Sequence, residues 1–239
     1  MKHIAVLVIV IALLGGAASA NQITTLSESS GAAIHIEVLP GERWTHQGKM
    51  LLFKFDVTPQ IAVWIEDLHG NYLDTLYVTQ KFAKQEWGGV RGQDKDKTFR
   101  SSSLPYWNHK RMEQGLASPT KNAPLPDAVT AASPTQKQAF SIVTKANTDL
   151  TEIAVLMEVN NSFDENEHYS NKPKEAAAEY NGQPAVIYRA MVNLAQPGTY
   201  AMQLIGHASW TGETDDLIED LSTLTSAVCI IEKAVVIVE

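Results

Sequence analysis

Cysteine is nearly absent from this chain, and several catalytic motifs are missing altogether. Cys229 is the single cysteine among 239 residues, so no disulfide can form within the chain. We expect its thiol to be buried and unreactive, because Val228, Ile230 and Ile231 around it are apolar. The sequence also lacks the Gly-x-Ser-x-Gly, His-Glu-x-x-His and phosphate-binding glycine motifs, which argues against the common hydrolases and nucleotide-dependent enzymes.

Basic residues are too few and too scattered for a nucleic-acid-binding protein. Acidic residues number 27 against 19 lysines and arginines, which gives a formal net charge of −8. No run of five basic residues offsets this balance, and binding to phosphates requires a concentrated positive surface. Because 44% of the residues are hydrophobic, the chain can bury a globular core.

The first twenty residues have the organisation of a secretory signal peptide. Lys2 precedes the apolar run 4–14, which is too short to span a bilayer, and Ala18-Ser19-Ala20 forms a cleavage site. We therefore expect a periplasmic or secreted protein whose mature chain begins at Asn21. Residues 21–239 are expected to form a single domain, and the removal of Lys2 gives this chain a net charge of −9. The later apolar stretch 227–238 is interrupted by charged residues, so no membrane span is expected in the mature chain.

Runs of β-branched and aromatic residues between turn signals predict an all-β domain. Without crossover helices, these strands favour an antiparallel β-sandwich with one core. The predicted strands are 33–38, 49–57, 60–67, 73–79, 139–145, 152–159, 185–192, 199–205 and 227–238. Gly70-Asn71 is expected to close a hairpin between the third and fourth of them.

The region between the two groups of strands is different in character. Residues 91–138 form a long polar stretch with five prolines, which predicts a long central loop. Short helical insertions are expected at 174–180 and 215–224, where apolar residues recur at helical spacing.

Several segments resemble a bacterial family of predicted periplasmic proteins whose shared domain has no established function. The matching segments are Ile61–Asp67 with Gly70 and Thr75-Leu76, Leu104–Trp107, Pro126–Thr130, Pro197–Tyr200 and Gly206-His207. The resemblance implies an immunoglobulin-like sandwich similar to that of flagellar hook-capping proteins. It also implies a setting near extracytoplasmic flavin and iron-uptake genes.

One segment resembles the acceptor motif of flavin transferases, Asp-x-x-Ser/Thr-Gly-Ala-Ser/Thr. Asp127, Thr130 and Ser133 occupy the matching positions, and the resemblance implies that Ser133 carries FMN through a phosphoester. Ala131 replaces the motif's glycine, which permits backbone conformations that alanine resists. An ordinary loop of small residues is the alternative interpretation.

Histidines and acidic residues suggest a metal site as a further alternative. The spacing of Asp164, Asn166, His168, Ser170 and Glu175 approximates a calcium loop, but Tyr169 replaces the required glycine, so an exposed acidic loop is the better interpretation. A softer metal would use His168 together with His207 or His109, provided that the fold brings them together.

The aromatic residues of the long loop are the remaining candidates. Tyr106 and Trp107, with His109 and with His207 from a late strand end, are predicted to form a ligand or partner surface. Alternatively, the two aromatic rings fix the loop to the sheet. The sequence as a whole favours an exported, non-enzymatic accessory or binding module. Its alternatives are an electron-transfer protein with covalent FMN and a periplasmic metal-binding protein.

Overall fold

The computed structural model describes residues 21–50, 52–87, 94, 99–170 and 181–239. Within them the chain is an all-β sandwich, as the sequence predicts, with two short α-helices. The strands are β1 (Gln22–Thr24), β2 (Ala32–Pro40), β3 (His46–Met50), β4 (Phe53–Val57), β5 (Gln60–Glu66), β6 (Tyr72–Thr79), β7 (Thr130–Ala131), β8 (Phe140–Ala146), β9 (Glu152–Asn160), β10 (Val186–Asn193), β11 (Gly198–Ala201), β12 (Gln203–His207) and β13 (Ile231–Val238). The helices are α1 (Gln80–Ala83) and α2 (Pro105–Glu113), and single 3₁₀ turns occupy Asp127–Val129 and Ala227–Cys229. Neither α-helix of this described part is long and apolar enough to cross a membrane.

Two sheets pack face to face around the main core. One has the strand order β1-β8-β2-β13-β11 and the other the order β12-β10-β9-β5-β6-β7. Neighbouring strands are antiparallel except for the short edge pairs β1–β8 and β6–β7. In β2, Ile34, Ile36 and Val38 point into this core while Glu37 is exposed, as period-two alternation requires.

The six-stranded sheet is buried on its second face as well. Every residue of β5 is buried, and Ala62 and Trp64 face a second hydrophobic cluster away from the other sheet. Phe82 of α1 and Trp107 of α2 belong to that cluster. The sandwich therefore has a third layer, made of the helices and the segments around them.

The long loop expected at 91–138 is consequently more ordered than the sequence suggests. Its residues 99–138 contain α2, a 3₁₀ turn and β7, whereas 91–93 and 95–98 lie outside the described residues. The sequence did not indicate α2 within this loop, because the helix has little apolar periodicity of its own and burial against the sheet stabilises it instead.

A buried carboxyl group holds α2 in place. Glu158 of β9 is fully buried and accepts hydrogen bonds from the backbone N–H groups of Tyr106 at 3.1 Å and Trp107 at 2.8 Å. Leu104, the residue before α2, provides no side-chain cap, so Glu158 satisfies the free donors of this helix start.

Three other predicted elements differ in the structure. The run 49–57 is not one strand, because β3 and β4 fold back on each other in a hairpin. The run 199–205 divides at Met202, so that β11 pairs with β13 and β12 with β10 in the opposite sheet. The helix predicted at 215–224 does not form, because Ile218 pairs with the end of β12 instead. The helix predicted at 174–180 lies outside the described residues.

The predicted hairpin around Gly70 is confirmed. β5 and β6 are antiparallel neighbours, and Gly70 has a φ of +83°, the left-handed conformation that glycine adopts without strain.

Candidate functional site

An open groove of about 460 Å³ lies at one end of the sandwich, where three connecting segments meet. The segments follow β2, follow β9 and precede β13. The lining residues are Glu42, Arg43, His46, Asn161, Phe163, Asp164, Glu165, Thr225, Ser226 and Cys229. The volume lies within the range of small-molecule binding sites.

Asp164 is the most unusual residue of this groove. Its side chain is 8% exposed, and its carboxyl oxygens contact only neutral donors, the backbone N–H of Gln183 at 3.0 Å and the hydroxyl of Ser226 at 3.3 Å. No lysine, arginine or histidine of the described residues forms an ion pair with it within 4 Å. Burial raises its pKa well above the ordinary value of 3.8, and the hydrogen bonds oppose this effect only in part.

The backbone around Asp164 is shaped closely to this carboxyl group. Gly182 has a φ of +70°, and a Cβ atom there would lie 2.5 Å from Oδ1 of Asp164. Phe163 has a φ of +62°, which a bulky residue adopts at a cost of about 1 to 3 kcal/mol. The amide of Gln183 also donates to the backbone oxygen of Asp164 at 2.7 Å. The fold therefore tolerates strain while keeping an acidic side chain at the groove.

The rest of the groove supplies an aromatic ring, an imidazole and a thiol. Phe163 packs edge-on against Phe55 of β4, with ring centroids 5.0 Å apart. Burial lowers the pKa of His46, and Arg43 contributes in the same direction, while the carbonyl groups of Phe163 and Ser162 oppose them. The imidazole is therefore neutral near pH 7.

Cys229 differs from the sequence-based expectation. Cys229 is partly exposed and lines the groove, although Ile230 and Ile231 beside it are buried. The prediction of a buried thiol was wrong because residues 227–229 form a 3₁₀ turn, which does not follow the alternation of the strand after it.

Charge and chemistry indicate what this groove accommodates. Three carboxyl groups, those of Glu42, Asp164 and Glu165, line it together with one guanidinium group, that of Arg43. An aromatic ring beside carboxyl groups is the arrangement that holds ammonium groups through ion pairing and cation–π contact.

The predicted aromatic surface is mostly buried. Trp107 is fully buried, and its indole N–H donates to the hydroxyl of Thr75 at 2.9 Å. Tyr106 is 9% exposed and packs near Trp64, with ring centroids 6.0 Å apart. Of the two interpretations left open by the sequence, the structure shows that these rings fix the segment to the sheet. With the Trp107 ring buried, the ligand or partner surface expected at these residues stays a prediction.

The three candidate histidines take separate positions. His207 is 3% exposed and its Nδ1 lies 2.8 Å from the carbonyl oxygen of Ala208. His109 contacts the carbonyl oxygen of Gly212 at 3.0 Å, and His168 is exposed beside Glu167. Within the described ranges, no three His, Cys, Asp or Glu side chains are grouped so as to hold a metal ion.

The acidic loop is exposed, as expected, at Glu165, Glu167 and His168, but not at Asp164. Asp164 is buried, and the Oδ1 atom of Asn166 accepts the backbone N–H groups of His168 and Tyr169 at 2.9 Å. These local bonds occupy the side chain that the calcium spacing would have assigned to an ion. Glu175 lies outside the described residues.

The residues of the flavin acceptor motif are distributed along a surface segment. Asp127 is exposed and pairs with Lys84 at 3.0 Å, while the hydroxyl of Thr130 lies 3.5 Å from the backbone oxygen of Asp127. Ser133 is half-buried and donates to the carbonyl oxygen of Pro59 at 3.1 Å. Ala131 lies in β7 in an extended conformation, so this backbone does not require the glycine of the motif.

The sequence offered little sign of the two buried acids. Glu158 follows five apolar residues in a central strand, which marks its burial but not its helix partner. Asp164 begins a run of acidic and polar residues, so only the packing of Gln183 and Ser226 reveals its burial.

Comparison with protein-family models, with curated proteins and with solved structures gave no match to this chain. The resemblance to the periplasmic family therefore stays a prediction.

Proposed function

We propose that the protein is an exported, non-enzymatic binding module, and that its end groove takes a ligand bearing an ammonium group. One observation carries this proposal: Asp164 lines the groove as a buried carboxyl group that contacts only neutral donors. An incoming ammonium group supplies the missing positive charge and favours the ionised carboxylate.

The surrounding residues support a cation over an anion. Glu42 and Glu165 add negative charge at the rim of the groove, and the Phe163 ring offers a face for cation–π contact. Arg43 is placed to bind a carboxylate on the same ligand, which favours amino acids or peptide groups over simple amines.

Thermal shift and titration calorimetry with putrescine, choline and lysine test this assignment. We expect a rise in melting temperature with the ammonium probes and no rise with glutarate, a dianion of similar size. Asp164→Asn keeps the shape of the side chain and should weaken binding at least about tenfold. Asp127→Asn, outside this groove, is the matched control and should bind as the unmodified protein does.

Two outcomes contradict the proposal. One is a glutarate response equal to that of the ammonium probes. The other is the absence of any response to all three ammonium probes at millimolar concentration.

A second candidate function is electron transfer with FMN esterified to Ser133. Ala131 is the one position that departs from the acceptor motif, where the motif has glycine. Its backbone is extended, a conformation that alanine adopts without strain, which favours this function. Asp127 also lines a separate groove of about 670 Å³, although Ser133 does not. Intact mass after co-expression with a flavin transferase decides, with Ser133→Ala as control. An unmodified mass eliminates this function.

A further inference from the structure

The hairpin of β3 and β4 is not hydrogen-bonded into either sheet of the sandwich. Its two strands form a separate two-stranded sheet, in which Lys49 pairs with Lys54 directly across the ladder. Such isolated hairpins are only marginally stable in water. The base of this one is anchored, because Val57 is buried and the ring of Phe55 packs on Phe163.

Beyond that base, the hairpin exposes large apolar side chains. Leu52 is 93% exposed and Phe53 is 74% exposed, the two highest values among the exposed large hydrophobic residues of the described chain. Both lie at the turn end of the hairpin, where no described segment covers them. Two adjacent apolar side chains with this much exposure are typical of an interaction surface.

The charges beside this tip indicate its partner. Lys49 and Lys54 face each other one position below the apolar end, although like charges directly opposite destabilise a ladder. Neither ammonium group forms an ion pair with a described residue within 4 Å. An apolar end bounded by a pair of lysines is complementary to a bilayer with anionic headgroups, in which the apolar side chains enter the acyl boundary and the lysines remain at the phosphates.

The dimensions agree with this arrangement. From Phe55 to Leu52 the hairpin advances three residues, about 10 Å at the rise of a β-strand. Interfacial segments enter a bilayer by about 5 to 10 Å. The excess of acidic over basic residues opposes approach of the whole protein to an anionic surface, so attachment depends on the hairpin itself.

We propose that the β3–β4 hairpin is a peripheral membrane anchor, which inserts Leu52 and Phe53 into an anionic bilayer surface and places Lys49 and Lys54 at its phosphate groups.

Vesicle sedimentation tests this anchor with the chain from residue 21, because the apolar run 4–14 would itself bind lipid. All described helices and strands lie between Gln22 and Val238, within that chain. The vesicles are phosphatidylethanolamine with phosphatidylglycerol at three to one, compared with pure phosphatidylcholine. We expect measurable binding to the anionic vesicles that weakens as salt is raised.

Two double variants separate the apolar and electrostatic contributions. Leu52→Ser with Phe53→Ser should lower partitioning at least about tenfold on anionic vesicles. Lys49→Gln with Lys54→Gln should lower it on anionic vesicles and leave phosphatidylcholine binding unchanged. Met191→Ser, which removes a 53% exposed apolar side chain elsewhere, should have no effect. Circular dichroism and melting temperature confirm that each variant is folded.

The proposal is overturned if the unmodified protein does not bind anionic vesicles, or if the Leu52 and Phe53 variant binds them equally well. Light scattering tests the alternative that the tip binds a second copy of this chain. A dimer in lipid-free solution that the same double variant dissociates would assign the tip to self-association and refute the membrane anchor.

Discussion

Replacing Glu158 by glutamine should remove a large pH dependence from the stability of this protein. The carboxyl group is fully buried beneath the first turn of α2. Burial raises the pKa of Glu158 from the ordinary value of 4.5 to about 8, although the N–H groups of Trp107 and Tyr106 favour its ionised form. Glutamine keeps the size of the side chain and does not titrate.

The sign and size of the effect follow from proton linkage. A carboxyl group with a raised folded pKa binds its proton more tightly in the folded state, so the free energy of unfolding falls as pH rises from about 4.5 to 8. Each pKa unit corresponds to about 1.4 kcal/mol, which gives about 4 kcal/mol between pH 5 and pH 9. The decrease levels off above pH 8, where both states are ionised.

Urea unfolding at intervals from pH 5 to pH 9 measures this effect in the unmodified protein and in Glu158→Gln. Other buried acids, among them Asp164, titrate in both proteins and cancel in the difference. The difference should change by about 4 kcal/mol in favour of the variant as pH rises. Glu152→Gln, an exposed change on the same strand, should follow the unmodified protein. A constant difference for Glu158→Gln across this range would refute the assignment of a protonated Glu158.

Three further changes test other parts of the structure. Gly182→Ala should destabilise the fold by about 2 kcal/mol or more, because the added Cβ would meet Asp164. Gly115→Ala is the control, with a similar φ of +75° and no atom within 4 Å of the added Cβ, and should cost only about 1 kcal/mol. Equal melting temperatures of the two variants would contradict this prediction. Trp107→Phe should lower the free energy of unfolding by about 2 kcal/mol, because the indole hydrogen bond and part of the buried volume are lost. Chemical denaturation measures this change, and an unchanged midpoint would return Trp107 to the candidate ligand residues. Amino-terminal sequencing of protein recovered outside the cytoplasm should begin at Asn21, and an intact amino terminus would contradict signal cleavage.

Much of the β-structure was readable from local patterns. Alternation in residues 33–38 and the turn at Gly70 predicted β2 and the β5–β6 hairpin, because one face of each strand must be apolar. This rule does not locate a turn inside a continuous apolar run, which is why the β3–β4 hairpin was missed. Residues 49–57 contain the unbroken apolar run 50–53 and no glycine or proline, so the sequence did not mark the hairpin.

The candidate site was less accessible to sequence reasoning. The sequence marks Tyr106 and Trp107 as candidates, but a buried anchor and a ligand platform have the same composition, and only burial distinguishes them. Asp164 stood in an acidic run that is typical of an exposed loop. Its burial depends on Gln183 and Ser226, which lie 19 and 62 residues further along the chain.

By itself the sequence determined that this chain builds a β-sandwich without disulfides, because strand alternation is local and a single cysteine has no partner. Tertiary structure alone decided what covers the second face of the six-stranded sheet and which acids are buried. The contact between Glu158 and Trp107 joins residues 51 positions apart. Such a contact changes the dielectric surroundings of a side chain but leaves no periodic pattern in the sequence. The burial of Asp164 and Glu158 and the separate β3–β4 hairpin are therefore visible only in the tertiary structure.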